Sequence, residues 1–125
     1  MQSILKSNRR ADISFSQSGQ INLSAHLVKA LDLHPGDAID VKTDGHEYYL
    51  YVRSPASPGV RYEARKCFPS NKKGKHFRAY SRRLCKAILA ACNCVGKAEF
   101  PTGEVITEGG TKYITIITKL ILNHD

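Results

Sequence analysis

The chain has no tryptophan and one methionine, and none of its apolar runs approaches the length of a membrane span. Residues 1–6 carry no secretory pattern, so a cytoplasmic location is expected. Four cysteines occur, Cys67, Cys85, Cys92 and Cys94, and no two stand in a Cys-x-x-Cys spacing. The five histidines, His26, His34, His46, His76 and His124, show no metal-ligand spacing either. No metal is therefore expected, and the thiols are read as reduced and largely buried, with Cys85 and Cys92 on one helix face. There is no Walker loop, because Gly109-Gly110 reads as a hairpin turn, and no serine sits in a nucleophile-elbow context. Asp37 belongs to a turn and so does not pair with Asp40 for acid/base work. No catalytic residue and no cofactor is expected, and an enzyme is disfavoured.

What is present is one organising stretch, Ser18 to Val52, in a chain of 125 residues that is 42% hydrophobic, enough for its own core. Ile21 and Leu23 alternate with Gln20 and Asn22, the period of a half-buried strand. Ser24 is placed to cap a short helix with Leu27, Ala30 and Leu31 inside. Pro35-Gly36 turns the chain, and Asp44-Gly45 joins two further strands. Residues 1–10 read as a basic arm, and residues 53–60, rich in proline and serine, as a linker.

The pattern then returns. Leu27-Val28-Lys29-Ala30-Leu31 aligns with Leu84-Cys85-Lys86-Ala87-Ile88, and Ser24 falls on Ser81. Gly36 and Ala38 match Gly96 and Ala98 after a three-residue insertion, and Tyr49-Leu50-Tyr51-Val52 matches Tyr113-Ile114-Thr115-Ile116. This ordered series predicts a diverged duplication, with halves over 11–52 and 61–118 inside one domain, 11–125. The second helix is expected to pack through Leu84, Ala87, Ile88 and Ala91. The last strand is expected over Lys112–Leu122, with its end beyond Thr118 either a separate strand or an oligomer contact.

The formal net charge is +8, all of it from the second half. The candidate phosphate-binding residues are Arg65, Lys66, Lys72, Lys73, Lys75, Arg78, Arg82, Arg83 and Lys86, opposed within Arg61–Lys86 only by Glu63. Tyr62, Phe68, Phe77 and Tyr80 are interleaved with them. They could stack on unpaired bases, but are expected mainly in the core. The plainer reading of such a run is a solvated surface that aids solubility.

The order strand, Gly19 loop, strand, short helix, Leu33-His34-Pro35-Gly36-Asp37 turn and closing hairpin resembles the AbrB-like (SpoVT-AbrB) swapped-hairpin family of DNA-binding proteins, over about residues 13–52. The resemblance implies a mainly β fold, a small swapped-hairpin barrel with two short helices. Two copies in one chain are similar to the tandem arrangement of MraZ-like members. It further implies a cytoplasmic transcriptional regulator of bacterial or phage type that binds duplex DNA, with homo-oligomers open, through the β-loop and helix start of the second copy. A protein-interaction module, antitoxin-like or an assembly subunit, stays open beside it, as does a substrate-recognition domain of a larger enzyme.

Overall fold

The computed structural model describes residues 11–53, 66–71, 74–119 and 123–124. The expected basic arm, and the linker beyond Arg53, lie outside the described residues. In chain order the elements are β1 (Ile13–Ser16), β2 (Gln20–Leu23), α1 (Ala25–Ala30), β3 (Ala38–Thr43), β4 (Tyr48–Arg53), β5 (Phe68–Pro69), β6 (Phe77–Tyr80), α2 (Arg82–Ala91), β7 (Lys97–Phe100), β8 (Thr102–Glu108), β9 (Thr111–Ile116) and β10 (Asn123–His124). The fold is mainly β, with two antiparallel sheets and two helices. Sheet A has the order β10-β7-β1-β2-β6-β5 and sheet B the order β3-β4-β9-β8. Among the described residues no helix is long and apolar enough to cross a membrane.

Alternating side chains explain the strands. In β2, Ile21 and Leu23 are buried while Gln20 and Asn22 face outward and are half-buried. In β6, Phe77 and Ala79 point inward and Arg78 and Tyr80 outward. The register pairs Ile21 with Ala79 and Leu23 with Phe77, so the inward rows of the two strands coincide. Sheet B repeats the arrangement, with Leu50 of β4 directly opposite Ile114 of β9, both buried. Phe15 and Phe100 meet in a tilted contact with ring centres 6.2 Å apart. Full burial of side chains of this kind stabilises by about 1.5–3 kcal/mol each.

Each helix is capped as its serine predicts. The Ser24 Oγ accepts the Leu27 N–H at 3.1 Å, and the Ser81 Oγ accepts the Leu84 N–H at 3.2 Å. The Ser24 hydroxyl also donates to Asp12 at 2.9 Å, and the other oxygen of that carboxylate accepts the Thr102 hydroxyl at 2.8 Å. One charged group thereby ties together the starts of β1, α1 and β8. Both helices also end alike. Asp32 and Asn93 adopt the left-handed conformation, with φ of 52° and 55°. The Leu33 N–H bonds the Val28 carbonyl and the Cys94 N–H the Leu89 carbonyl, each at 2.9 Å, which is the Schellman pattern. The short helix α1 therefore stops at this motif, before Pro35 is reached.

Three expectations change. Helix α2 buries Cys85, Ile88 and Leu89, while Ala87 and Ala91 are exposed. The inner face is turned by one residue from the expected Leu84/Ala87/Ile88/Ala91 stripe, because cysteine packs as a small hydrophobe and Leu89 buries more than alanine. At the isoleucine- and threonine-rich end of the chain the strand is shorter than Lys112–Leu122, and the separate strand held open beyond Thr118 is present. β9 ends at Ile116, and β10 pairs with β7 in the other sheet. Finally, the two sheets are laddered separately. The chain crosses from β7 in sheet A to β8 in sheet B at Pro101, which has no N–H to donate. The only bridge between sheet B and the chain entering β5 is Ala38 to Lys66, so among the described residues the ladder does not run round into a closed barrel.

Candidate nucleic-acid interface

Of the nine predicted phosphate-binding residues, six are described. Lys75 is exposed in the connection from β5 to β6, and Arg78 lies in the middle of β6. Arg82 and Arg83 are the first two residues of α2, and Lys86 lies one turn later; all three are exposed. The structure thus gathers these five on one unit, the β6 strand with its approach and the helix that follows it. Lys66 is set apart, bridged through its backbone to Ala38 at the start of β3. Arg65, Lys72 and Lys73 lie outside the described residues.

The start of α2 is arranged against its own stability. The N-terminal turn of a helix carries partial positive charge and favours acidic side chains there. This first turn holds no acid and two arginines. Arg82 also crosses the β1–β2 turn, where its Nε donates to the Ser18 carbonyl at 3.4 Å. A Cβ on Gly19 would lie 2.8 Å from the Arg82 Cγ, so only glycine lets the helix start approach the turn so closely.

Two basic side chains of the first half are engaged within the molecule, while Lys29 is exposed. Arg53 pairs with Asp40 at 2.6 Å, and the Lys42 ammonium sits 4.9 Å above the Tyr51 ring and 5.6 Å from that of Tyr113.

The outer face of sheet A adds groups that the charge count missed. The register sets Glu99, Ser14, Asn22 and Arg78 in one row across β7, β1, β2 and β6. The Asn22 amide donates to the Ser14 hydroxyl at 3.2 Å, and its Oδ1 accepts the Arg78 Nε at 3.0 Å and the Gln20 amide at 3.2 Å. Phe68 stands opposite Arg78, and Tyr80 opposite Gln20. These two rings are 51% and 55% exposed, whereas Phe77 is buried as expected of a core aromatic. A concavity of ≈ 280 Å³ lies beside this row, with Ser14, Asn22 and Glu99 of the row and Asp12, His76 and Lys97 in its lining. The alternation in Phe77-Arg78-Ala79-Tyr80 carried the signal for Tyr80, since it shares a side with the arginine. Gln20 and Asn22 show in the sequence only as the polar side of a strand.

No protein-family model, curated protein or solved structure matches this chain. The chemistry of the site rests on its own residues.

The thiols do not contribute to this face. Cys67 and Cys85 are buried, and burial pushes them up to about 12 and about 11. Cys92 is half-buried and is raised for the same reason, with a smaller contribution from Cys94. Protonated and enclosed thiols of this kind are poor nucleophiles and poor ligands. On sheet B, the Tyr49 hydroxyl donates to Asp44 at 3.1 Å, and that bond, with lesser contributions from desolvation and Glu47, pushes it up to about 12. The Asp44 carboxyl is held below its usual range by the backbone N–H groups of Glu47 and His46, so both groups serve the β3–β4 turn.

Proposed function

We propose that this chain is a DNA-binding protein, a transcriptional regulator of the swapped-hairpin kind assembled from two diverged repeats, and that it binds through the β6–α2 unit. One observation carries the reading. From Lys75 to Ala91 every charged side chain is basic, and four of the five are exposed, including two arginines in a helix turn where they lower stability. A solubilising surface would mix signs and would not set arginines against the helix dipole. The repeat reading draws support from the matching serine caps, the matching Schellman ends and the antiparallel pairing of β2 with β6 and of β4 with β9. Each of those ladders joins a strand to its counterpart in the other half.

The test is a gel-shift titration on random duplex DNA at two salt concentrations. Binding should weaken steeply with salt, and each lost phosphate contact should flatten the log K against log salt slope by about 0.9. Lys75→Ala with Arg83→Ala should weaken binding on all duplexes, and Lys29→Ala with Lys42→Ala should do much less. Equal losses in the two double variants would remove the assignment of the site. A second reading, a module that binds a protein partner, is favoured by β8, an edge strand with Val105 and Ile106 exposed. An interface built there would be nearly insensitive to salt.

A further inference from the structure

The basic unit explains affinity for phosphate, but not the two exposed rings beside it. Phe68 and Tyr80 project from adjacent strands on one face, and diagonal neighbours of this kind lie about 7–8 Å apart. Arg78 stands at the corner between them, directly across from Phe68 and two residues before Tyr80 on the same side of β6. Its Nε is held by Asn22 at 3.0 Å, which fixes the plane of the guanidinium. Among the described residues no acceptor is bonded to its two terminal nitrogens, the pair that grips a phosphate side by side. Single exposed apolar residues are ordinary on a protein surface. A pair that brackets an oriented arginine on a polar sheet face is a different arrangement.

We propose that this face takes single-stranded DNA, with two unpaired bases stacked on Phe68 and Tyr80 and the phosphate between them held by Arg78. The inference rests on the DNA-binding reading above and narrows its substrate. In a duplex the bases are already stacked on one another and their faces cannot reach a sheet. An unpaired strand can turn its bases onto the rings and its phosphates toward arginine. Gln20 and Asn22, on the strand between β1 and β6, offer polar atoms beside the rings for base edges. Lys75 and Arg82 add positive charge next to the rings, while at the far side of the sheet Lys97 stands near the acidic Glu99.

The experiment is fluorescence anisotropy with a labelled oligothymidylate, a duplex of equal length and an oligouridylate, each at moderate and at high salt. Oligothymidylate should bind at least about tenfold more tightly than the duplex. Phe68→Ala and Tyr80→Ala should each weaken that binding by about 5- to 100-fold, the range of one lost base stack, and leave the salt slope unchanged. Tyr80→Phe should bind like the parent, because it keeps the ring. Both alanine variants remove half-exposed side chains, and a thermal melt of each confirms that the fold is kept. Preference for the duplex, or alanine variants within about twofold of the parent, would overturn the proposal while leaving salt-dependent DNA binding intact. Tighter binding of oligouridylate would move the substrate to RNA and overturn the choice of DNA. Absence of binding to all three would remove the DNA-binding reading itself.

Discussion

Arg83→Glu separates binding from stability with one substitution. Arg83 is the second residue of α2, three positions before Lys86, and is exposed with no acid in its turn. An acidic side chain at that place stabilises a helix by about 0.3–1 kcal/mol at low salt, and removing the opposed arginine adds a gain of similar size. The substitution also gives Lys86 an opposite charge three residues before it in place of a like one, for about 0.2–0.5 kcal/mol. The variant should therefore be more stable than the parent by about 1–2 kcal/mol, read as a higher urea midpoint with unchanged slope. Arg83→Gln should fall between the two. DNA affinity should run in the opposite order, with the parent tightest and the glutamate variant weakest, and the gain in stability should shrink as salt is raised. A glutamate variant that is less stable than the parent would show that Arg83 makes a structural contact. One that binds DNA as the parent does would show that the helix start is outside the interface. Either result refutes the argument.

Gly19→Ala should lower stability by about 1–3 kcal/mol in a urea titration, since φ there is +98° and the new Cβ would press on Arg82 at 2.8 Å. Its DNA affinity should fall as well, because the relief available is a shift of the α2 start. For the thiols, Cys67 and Cys85 have folded-state values raised from 9.0 to about 12 and about 11. Their contribution is therefore fully present below pH 9 and is lost as pH rises from 9 through 11 to 12. Urea midpoints should decline over that window, and Cys85→Ala should show a shallower decline than the parent. A steeper one would contradict the assignment.

The parts of the fold that show in the sequence are those set by local chemistry. Ser24 and Ser81 cap helices because a hydroxyl there can accept an orphan N–H, and Asp44-Gly45 and Gly109-Gly110 turn hairpins. What the sequence hid depends on neighbours. The alignment that sets Ser24 on Ser81 also sets Leu23 on Tyr80, yet Leu23 is buried and Tyr80 exposed. The strands run into their caps with an offset of one residue, and a period of two turns such an offset into a change of face. Helix α2 is four residues longer than α1 (10 against 6), about one turn, which moves its end without changing its cap motif. At the candidate site the basic residues were legible as charge. The holding of Arg78 by Asn22 was not, because the two are 56 positions apart and meet only through the β2–β6 ladder.

That ladder also governs how the chain can come apart. β1 bonds to β7, β2 to β6 and β4 to β9, so each half of the molecule completes its sheets with strands of the other half. Residues 11–53 alone would keep two hairpins and a short helix but would leave open the strand edges that β7, β6 and β9 occupy. The covalent tether between the halves acts as a concentration. A covalent connection sets an effective concentration of one part about the other, and a cut between residues 53 and 66 would replace this by the actual concentration of fragments. The two pieces would then melt at a temperature that falls on dilution, as an obligate heterodimer does.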